Sequence, residues 1–238
     1  MTSYSSKVFA VGVGPGAYEY ITDVVRNIIL EADVIIGYKF TLNTIKCLIK
    51  NKNVHVVNMK NQEEVYKKIK NKMKYKKIVV PFTGDVNFSE SEVVDRLIQI
   101  FKNVILIPGI SSTQVAAAKA RIALDKTKII TFHISTSIEN KKIELQKGLL
   151  DGFNIIMLPR PWPTKPKKQF MHSEFALYLK KNGFNTSSMQ VIVYEYLTTK
   201  NEKIFSGKVS DLENMSFSDL SIIVIKQSKL ESYHDIKY

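Results

Sequence analysis

An apolar segment that runs into a glycine-rich turn constrains the fold of this chain most. Residues 8–14 read Val-Phe-Ala-Val-Gly-Val-Gly, and Pro15, Gly16 and Ala17 follow. A helical pattern of apolar residues begins directly afterwards, at Ile21, Val24, Val25, Ile28, Ile29 and Ala32. The segment therefore predicts a strand, a tight loop and a helix, an arrangement with which α/β proteins bind nucleotide-like ligands.

The loop has more than one interpretation. Gly12, Gly14 and Ala17 fit the dinucleotide fingerprint G-x-G-x-x-G/A, and Asp33 lies at about the spacing of the acid that binds the ribose. Pro15 argues against a pyrophosphate site, because proline removes a backbone N–H donor from the loop. The loop also fits a rigid wall that a ligand can approach closely. A sharp turn without any ligand is the third interpretation.

Strand and helix patterns alternate through the first half of the chain and predict a mostly parallel sheet covered on both faces. The predicted strands are Lys7–Val13, Asp33–Ile36, Val54–Val57, Lys77–Phe82 and Val104–Ile107, with helices at Ile21–Ala32, Phe40–Ile49, Gln62–Met73 and Glu90–Phe101. Shorter strands after residue 127 predict a smaller mixed sheet with antiparallel strands. We expect two α/β domains, residues 1–122 and 123–238.

Glycine loops also follow the fourth and fifth predicted strands, at Gly84-Asp85 and Pro108-Gly109. Because the carboxyl ends of parallel strands meet at one edge of a sheet, the three glycine loops should converge there. Asp85 could accept hydrogen bonds from a ligand or serve an ordinary turn. A capping box is predicted to begin the helix after each of these loops, at Ser89-x-x-Glu92 and Ser111-x-x-Gln114.

The charge of the chain is strongly basic, with 35 Lys and Arg against 22 Asp and Glu and a formal net charge of +13. The lysines are spread through the chain, which favours a solvated surface. The same field would attract anions, either nucleic acid or a small polycarboxylate molecule.

The number of cysteines, the spacing of the histidines and the length of the apolar runs exclude several classes of protein. Cys47 is the single cysteine, so an internal disulfide is impossible, and a buried position in a helical pattern is expected for it. The four histidines lack the spacing of metal ligands. The polar residues 1–7 are not typical of a signal peptide, and no apolar run approaches the ~18 residues of a membrane span. We therefore expect a cytoplasmic protein without a metal site.

The order and spacing of these loops resemble the tetrapyrrole methylase family over nearly the whole chain. The motifs are Gly12-Val-Gly14-Pro15-Gly16, Glu31–Tyr38, Gly84-Asp85 with Phe88-Ser89, and Pro108-Gly109-Ile110-Ser111-Ser112. Val193-Tyr194-Glu195-Tyr196-Leu197 and the later Gly207 resemble the branch that methylates carbon 5 of a cobalt-containing corrin precursor. The resemblance implies a class III methyltransferase fold, two α/β domains with the active site in the cleft between them.

The resemblance also implies ligands and their sites. The cofactor would be S-adenosylmethionine, converted to S-adenosylhomocysteine, and the substrate a corrin intermediate. No catalytic side chain is implied, because the reaction depends on positioning. The chain departs from the family's usual Gly-Asp-Pro-Gly at Val86 and Asn87. The implied cofactor residues are Gly84, Asp85, Phe88, Ser112, Thr113, Leu158 and Pro159, and the implied substrate residues are Gly14, Pro15, Gly16 and Arg160.

Partners follow from the same resemblance. A homodimer is expected, and the alanine-rich helix after Gln114 offers a close-packing surface for it. A separate decarboxylating methyltransferase of the CbiT type is expected to supply the step for which a chain of 238 residues has no room. Within the family that the chain resembles, the alternative to methylation of carbon 5 is another ring-methylating reaction or diphthine synthesis. A nucleotide- or RNA-binding α/β module is the alternative from another class.

Overall fold

Two five-stranded sheets form the framework of the computed structural model, which describes residues 7–73, 76–161 and 168–227. The strands are β1 (Lys7–Gly12), β2 (Val34–Tyr38), β3 (Asn53–Val57), β4 (Lys77–Phe82), β5 (Val104–Ile107), β6 (Thr127–Thr131), β7 (Asn154–Leu158), β8 (Gln190–Glu195), β9 (Lys203–Lys208) and β10 (Ser221–Lys226). The α-helices are α1 (Asp23–Leu30), α2 (Lys39–Thr44), α3 (Gln62–Lys72), α4 (Ser91–Phe101), α5 (Ser112–Ala120), α6 (Glu139–Leu150) and α7 (His172–Lys181). Short 3-10 segments lie at Tyr18–Tyr20, Leu124–Lys126 and Val209–Asn214.

The chain divides by its contacts into two units. The first unit is Met1–Val115 together with Leu197–Lys200, and the second is Ala116–Tyr196 together with Asn201–Tyr238. A short piece of the second half of the sequence is thus grouped with the first sheet. The division into domains at residue 122 stays a prediction.

The first sheet is parallel throughout and has the strand order β3-β2-β4-β1-β5. Successive side chains point to opposite faces, so Ile35 belongs to the apolar cluster with α1 and α2, and Ile36 to the cluster with α3 and α4. Both residues are fully buried. The order puts β1 between β4 and β5, and therefore the three glycine loops follow three adjacent strands.

The second sheet is mixed, as the sequence predicted, with the order β6-β7-β10-β8-β9. Only the β6–β7 pair is parallel, and the remaining neighbours run antiparallel. One apolar cluster covers it, with Phe132 and Phe175 fully buried at its centre. The fold class expected from the sequence, α/β with two sheets, is confirmed.

Helix boundaries differ most from the sequence expectation in the first two helices. A 3-10 turn at Tyr18–Tyr20 precedes α1, and Thr22 caps that helix by accepting a hydrogen bond from the Val25 N–H at 3.4 Å. The second helix, α2, ends at Thr44, so Cys47 lies beyond it and is exposed. The prediction of a buried cysteine is therefore wrong.

One of the two predicted capping boxes is confirmed in one of its two hydrogen bonds. The Gln114 side chain accepts a hydrogen bond from the Ser111 N–H at 2.8 Å, which begins α5 as expected. For the Ser89 box the outcome is different, because the N-cap residue of α4 is Glu90, whose side chain makes no cap bond, so the helix begins one residue later than the box predicts. Ser89 adopts a left-handed backbone with φ of 71°, and the helix begins after it.

Across the part of the chain that the structure describes, no helix combines the length and apolar character needed to cross a membrane. The same residues hold no group of three or more His, Cys, Asp or Glu side chains placed to bind a metal ion.

Candidate active site

Three glycine backbones meet where β1, β4 and β5 end. A Cβ atom on Gly12 would lie 2.6 Å from the Gly84 carbonyl oxygen and 2.7 Å from the Gly109 nitrogen. Real Cβ atoms do not approach backbone so closely, so any side chain at Gly12 would push the loops apart. The convergence of the three loops that the sequence predicted is thus confirmed within the first unit.

The first and second loops are also joined by hydrogen bonds. The Gly14 N–H donates to the Gly84 carbonyl at 3.2 Å, and the Gly84 N–H donates to the Gly14 carbonyl at 2.7 Å. Both residues have positive φ, 79° for Gly14 and 76° for Gly84, a conformation that glycine adopts without strain. Gly14 thus lies directly beside the loop expected to bind the cofactor.

The Asp85 carboxylate connects the second loop to the third. One oxygen accepts from the Asn87 N–H at 2.7 Å, and the other accepts from the Gly109 N–H at 2.8 Å. These bonds are those of a turn residue that also fixes a neighbouring loop. An ionised carboxylate has about four acceptor positions, so two bonds leave Asp85 able to accept others from a ligand.

Open space lies next to Gly84. Within the part of the chain that the structure describes, a Cβ atom added to this residue would meet only the Ser112 nitrogen, at 3.8 Å, in contrast to the crowded Gly12. Ser112 is the first residue of α5, and its side chain is partly exposed. A ligand can therefore approach the Gly84 backbone beside the first turn of α5, at the carboxyl edge where α/β sheets bind ligands.

The other residues implied in this cofactor site differ in their exposure. Thr113 is buried, and its hydroxyl pairs with the Ser111 hydroxyl at 2.9 Å. Phe88 is partly exposed in the loop that follows β4. The departure at Val86 has a packing reason, because this side chain is 1% exposed and belongs to the apolar cluster that also contains Phe82. The loop is anchored to the core by Val86.

Asp33 lies at the wrong edge of the sheet for a ribose ligand. It directly precedes β2, and its carboxylate accepts a hydrogen bond from the backbone N–H of Lys77, the first residue of β4, at 2.8 Å. That position is the amino edge, opposite the glycine loops. The dinucleotide interpretation of the first loop therefore lacks its acidic residue.

A polar cluster that the sequence did not reveal lies on the α3 and α4 side of the first sheet. The Tyr38 hydroxyl, at the carboxyl end of β2, donates to the Gln62 side-chain oxygen at 3.0 Å. Burial, with a smaller effect of the nearby Glu90 carboxylate, raises the pKa of Tyr38 to about 12, and Arg96 opposes this shift. Tyr66 is fully buried in the same surroundings, and burial raises its pKa as well.

Glu90 is the carboxyl group of this cluster. It lies in the segment between β4 and α4, and burial raises its pKa to about 7. A carboxyl with that pKa exchanges protons at neutral pH. The cluster draws residues from four separate elements, and no local pattern in the sequence joins them.

The remaining implied residues lie in the second unit, at the end of β7. Leu158 is partly buried and Pro159 buried. Arg160 is only 5% exposed, and its backbone pairs with Phe170 through bonds of 2.9 and 3.0 Å. Its assignment as a clamp for a substrate carboxylate stays a prediction. The proline-rich continuation at 162–167 lies outside the described residues.

His133 supports this segment and was not singled out from the sequence. It follows β6, and its ring N–H donates to the Pro159 carbonyl. Its position after a strand that is parallel to β7 is the signal that could have identified it.

Comparison with known proteins decides the family. The sequence profile of the Tetrapyrrole (Corrin/Porphyrin) Methylases matches residues 7–213. The chain belongs to the tetrapyrrole methylase family. The resemblance expected from the glycine loops is confirmed, and this methylase is a tetrapyrrole methyltransferase.

Two relatives from Methanocaldococcus jannaschii are similar over most of their length. A probable cobalt-precorrin-7 C(5)-methyltransferase is 32% identical over an alignment of 226 residues that covers 91% of this methylase and 96% of the relative. A cobalt-precorrin-4 C(11)-methyltransferase is 35% identical over 87% of this methylase and 80% of the relative. In fold, the crystal structure of the methyltransferase CobJ superposes with a TM-score of 0.75 and 16% identity, covering 94% of this methylase and 95% of that chain.

The family implies methylation by S-adenosylmethionine, and the residues of the first unit fit this cofactor. The open space at Gly84 admits a ligand against the backbone, and Ser112 borders it. The Asp85 bonds to Asn87 and Gly109 fix the walls of that space. Gly84, Asp85, Phe88, Ser112 and Thr113 would hold the cofactor on this side.

Proposed function

We propose that this methylase transfers a methyl group from S-adenosylmethionine to carbon 5 of cobalt-precorrin-7 or a closely related precorrin. It acts in cobalamin biosynthesis as a tetrapyrrole methyltransferase. The observation that carries the position of methylation is the end-to-end similarity to the probable C(5)-methyltransferase, 32% over 96% of that relative. The motif at Val193–Leu197 supports the same branch.

The chemistry asks the protein chiefly for positioning. When bound, S-adenosylmethionine supplies a methyl group activated by its sulfonium, which needs no further acid or nucleophile from the protein. Gly84 leaves room for the cofactor, and Asp85 and Gly109 keep the loops around it in place. The buried Pro15 loop would present the substrate carbon, and a fixed near-attack geometry is worth about 7–11 kcal/mol of the barrier.

Isotope labelling tests the position of methylation. Cobalt-precorrin-7 is incubated with the enzyme and S-adenosylmethionine that carries a labelled methyl group, and the product is analysed by mass spectrometry and NMR. One labelled methyl on carbon 5 is expected. A label on carbon 11 of a cobalt-precorrin-4 substrate, with none on carbon 5, would replace the proposal by the reaction of the 35% identical relative.

Cofactor binding is a separate test. S-Adenosylhomocysteine is expected to bind with micromolar affinity, about 8 kcal/mol. NAD is expected not to bind, since Pro15 removes a donor from the loop and Asp33 lies at the opposite edge. Tight NAD binding without S-adenosylhomocysteine binding in calorimetry would contradict the cofactor assignment.

A homodimer is part of the proposal, although not through the surface first expected. Ala116, Ala117 and Ala120 are already buried within the chain, so the alanine-rich side of α5 is unavailable to a second copy. Ile105 and Leu106 on the edge strand β5 are exposed, which favours that edge. Light scattering is expected to give twice the chain mass of 27.2 kDa, and a monomer at every concentration would remove this part.

If a separate partner protein carries out the decarboxylation, the labelled product of this enzyme alone should keep its carbon dioxide. The mass of the product should then exceed the mass of the substrate by the labelled methyl group only. Loss of carbon dioxide with the purified chain alone would show that no separate protein is needed for that step.

A further inference from the structure

We propose that Leu197–Lys200, here named the strap, fixes the Gly14-Pro15-Gly16 loop and thereby positions the substrate. Thr198 is the positioning residue in this proposal, acting through the loop rather than on the reacting atoms. The part of the proposal that concerns substrate rests on the proposed methyltransferase function. The part that concerns the loop rests on contacts within the first unit alone.

The decisive contact joins the strap to the loop. The Ala17 backbone N–H donates to the Thr198 hydroxyl oxygen at 3.0 Å, across 181 residues of sequence. Leu197 is 6% exposed, and the whole strap groups by its contacts with the first unit although its neighbours in sequence belong to the second. The strap is therefore an integral part of the surroundings of the loop.

Close packing at Gly16 supports the hydrogen bond. A Cβ atom on Gly16 would lie 2.7 Å from the Thr199 methyl carbon and 3.1 Å from the Leu197 carbonyl oxygen. The glycine backbone thus lies against the strap with no room for a side chain. Any movement of the strap would be transmitted to the loop, because the space between them is too small even for one methyl group.

The backbone of the strap is held in a costly conformation. Thr198, within the strap, has φ of 68°, and Tyr196, directly before the strap, has φ of 49°; both lie in the left-handed region that residues with a Cβ atom avoid. For Thr198 the cost is greater because its side chain is β-branched. Such conformations persist where surrounding contacts over-determine them, and they cluster at binding sites.

The loop is consequently held on both sides. Gly14 is bonded to Gly84 on the cofactor side, and Ala17 is bonded to Thr198 on the other. Loss of the second attachment should displace Pro15 and Gly16 while leaving the space at Gly84 unchanged. Substrate placement and cofactor binding should therefore respond differently to substitutions in the strap.

Thr198→Val tests this attachment with little change of shape. Valine keeps the β-branched shape and the backbone strain of threonine but cannot accept the Ala17 hydrogen bond. Thr198→Ser restores the hydroxyl. Thr127→Val is the matched control, because Thr127 also makes one hydroxyl-to-backbone bond, to the Ala123 carbonyl at 2.6 Å, but in the second unit.

Three measurements are made on the full chain and each variant. They are amide hydrogen exchange of the peptide that spans residues 14–20, S-adenosylhomocysteine affinity by calorimetry, and kcat and KM for methylation of cobalt-precorrin-7. Thr198→Val should speed exchange and lower kcat/KM about tenfold, the size of one lost hydrogen bond, with cofactor affinity unchanged. Thr198→Ser should restore both, and Thr127→Val should change neither.

The outcomes separate this proposal from the proposed function. Exchange and kinetics of Thr198→Val equal to the parent would overturn it, as would an equal defect in Thr198→Ser, because the hydroxyl would then be irrelevant. Loss of cofactor affinity together with activity would also overturn it, since the strap would not act selectively on substrate. A parent that does not methylate this substrate refutes the proposed function and the role toward substrate, and the exchange measurement still decides the attachment.

Discussion

The two units bury ionisable groups of opposite kind in opposite surroundings. In the first unit, Glu90 lies among polar side chains beside the loop after β4, and burial raises its pKa to about 7. In the second, His172 at the start of α7 stacks on Phe217 with ring centroids 4.3 Å apart, and burial lowers its pKa to about 4. Among the described residues, neither His172 ring nitrogen has a hydrogen-bond partner. Burial penalises the charged form of both side chains, but their contributions to the free energy of unfolding change with pH in opposite directions.

The signs follow from proton linkage. For Glu90 the native state binds more protons than the unfolded state between pH 4.5 and about 7, so its contribution to stability falls as pH rises through that window. For His172 the unfolded state binds more protons between about pH 4 and 6.5, so its contribution is lost as pH falls. The two slopes oppose each other where the windows overlap.

The largest expected effect is the loss of cofactor binding on substitution of a glycine in the first unit, for which a matched glycine in the second unit is the control. Gly84 and Gly152 have φ of 76° and 80°, and no described residue would crowd a Cβ atom at either position. Valine at either position should cost about 1–2 kcal/mol of stability from backbone strain. Gly84→Val should also fill the proposed cofactor space and lower S-adenosylhomocysteine affinity about 100-fold, ~3 kcal/mol.

Calorimetry and thermal unfolding of both variants check this comparison. Gly152→Val should bind the cofactor product like the parent. Parent-like binding by Gly84→Val, at the same loss of stability as Gly152→Val, would reduce the Gly84 loop to a structural turn.

The next effect concerns the second unit. His172→Leu replaces a 1% exposed imidazole by an apolar side chain of similar size. It should remove the acid sensitivity that builds up between pH 6.5 and 4, worth about 2–3 kcal/mol at the acid end. Denaturant unfolding at pH 4.5 and 7.5 measures the change. If the free energy of unfolding differs between pH 4.5 and pH 7.5 by as much in the variant as in the parent, His172 must have a polar partner in solution.

The smallest effect concerns the first unit. Glu90→Gln removes a partly exposed carboxyl, so it should raise stability at pH 8 by about 1–2 kcal/mol and leave it unchanged below pH 4.5. The double variant with His172→Leu should show the flattest stability profile between pH 4.5 and 7. A Glu90→Gln variant that is less stable at pH 8 than the parent would mean that the ionised carboxylate is stabilised by its neighbours.

Sequence patterns predicted the strands well because strand periodicity is local. Strand β4 and strand β5 begin and end where their apolar residues predicted. Cap geometry was less predictable, since Glu90 rather than Ser89 is the N-cap residue of α4, whereas Gln114 accepts the Ser111 N–H at the start of α5 as expected. The residue at which a helix begins depends on the backbone geometry of the cap residue, which residue types alone do not determine.

The residues of the candidate site also fall into those that the sequence could predict and those that it could not. Gly84 and Gly109 could be found because each follows a buried strand of one parallel sheet. Thr198 could not, because its partner Ala17 is remote in sequence and the preference of threonine for strands gives no hint of a left-handed turn. Glu90 resembled a surface residue at a helix start, and only its packing beside α3 and β2 reveals the shifted pKa.

The bond between Ala17 and Thr198 also sets an order of events during synthesis. Strand β5 completes the first sheet once residue 107 has left the ribosome, and the three glycine loops can meet as soon as Gly109 has followed. The Pro15 loop still lacks its second attachment until Thr198 emerges, and closure of so long a chain segment carries an entropic cost that grows with its logarithm. A nascent chain should therefore acquire a cofactor space before it acquires a fixed substrate wall.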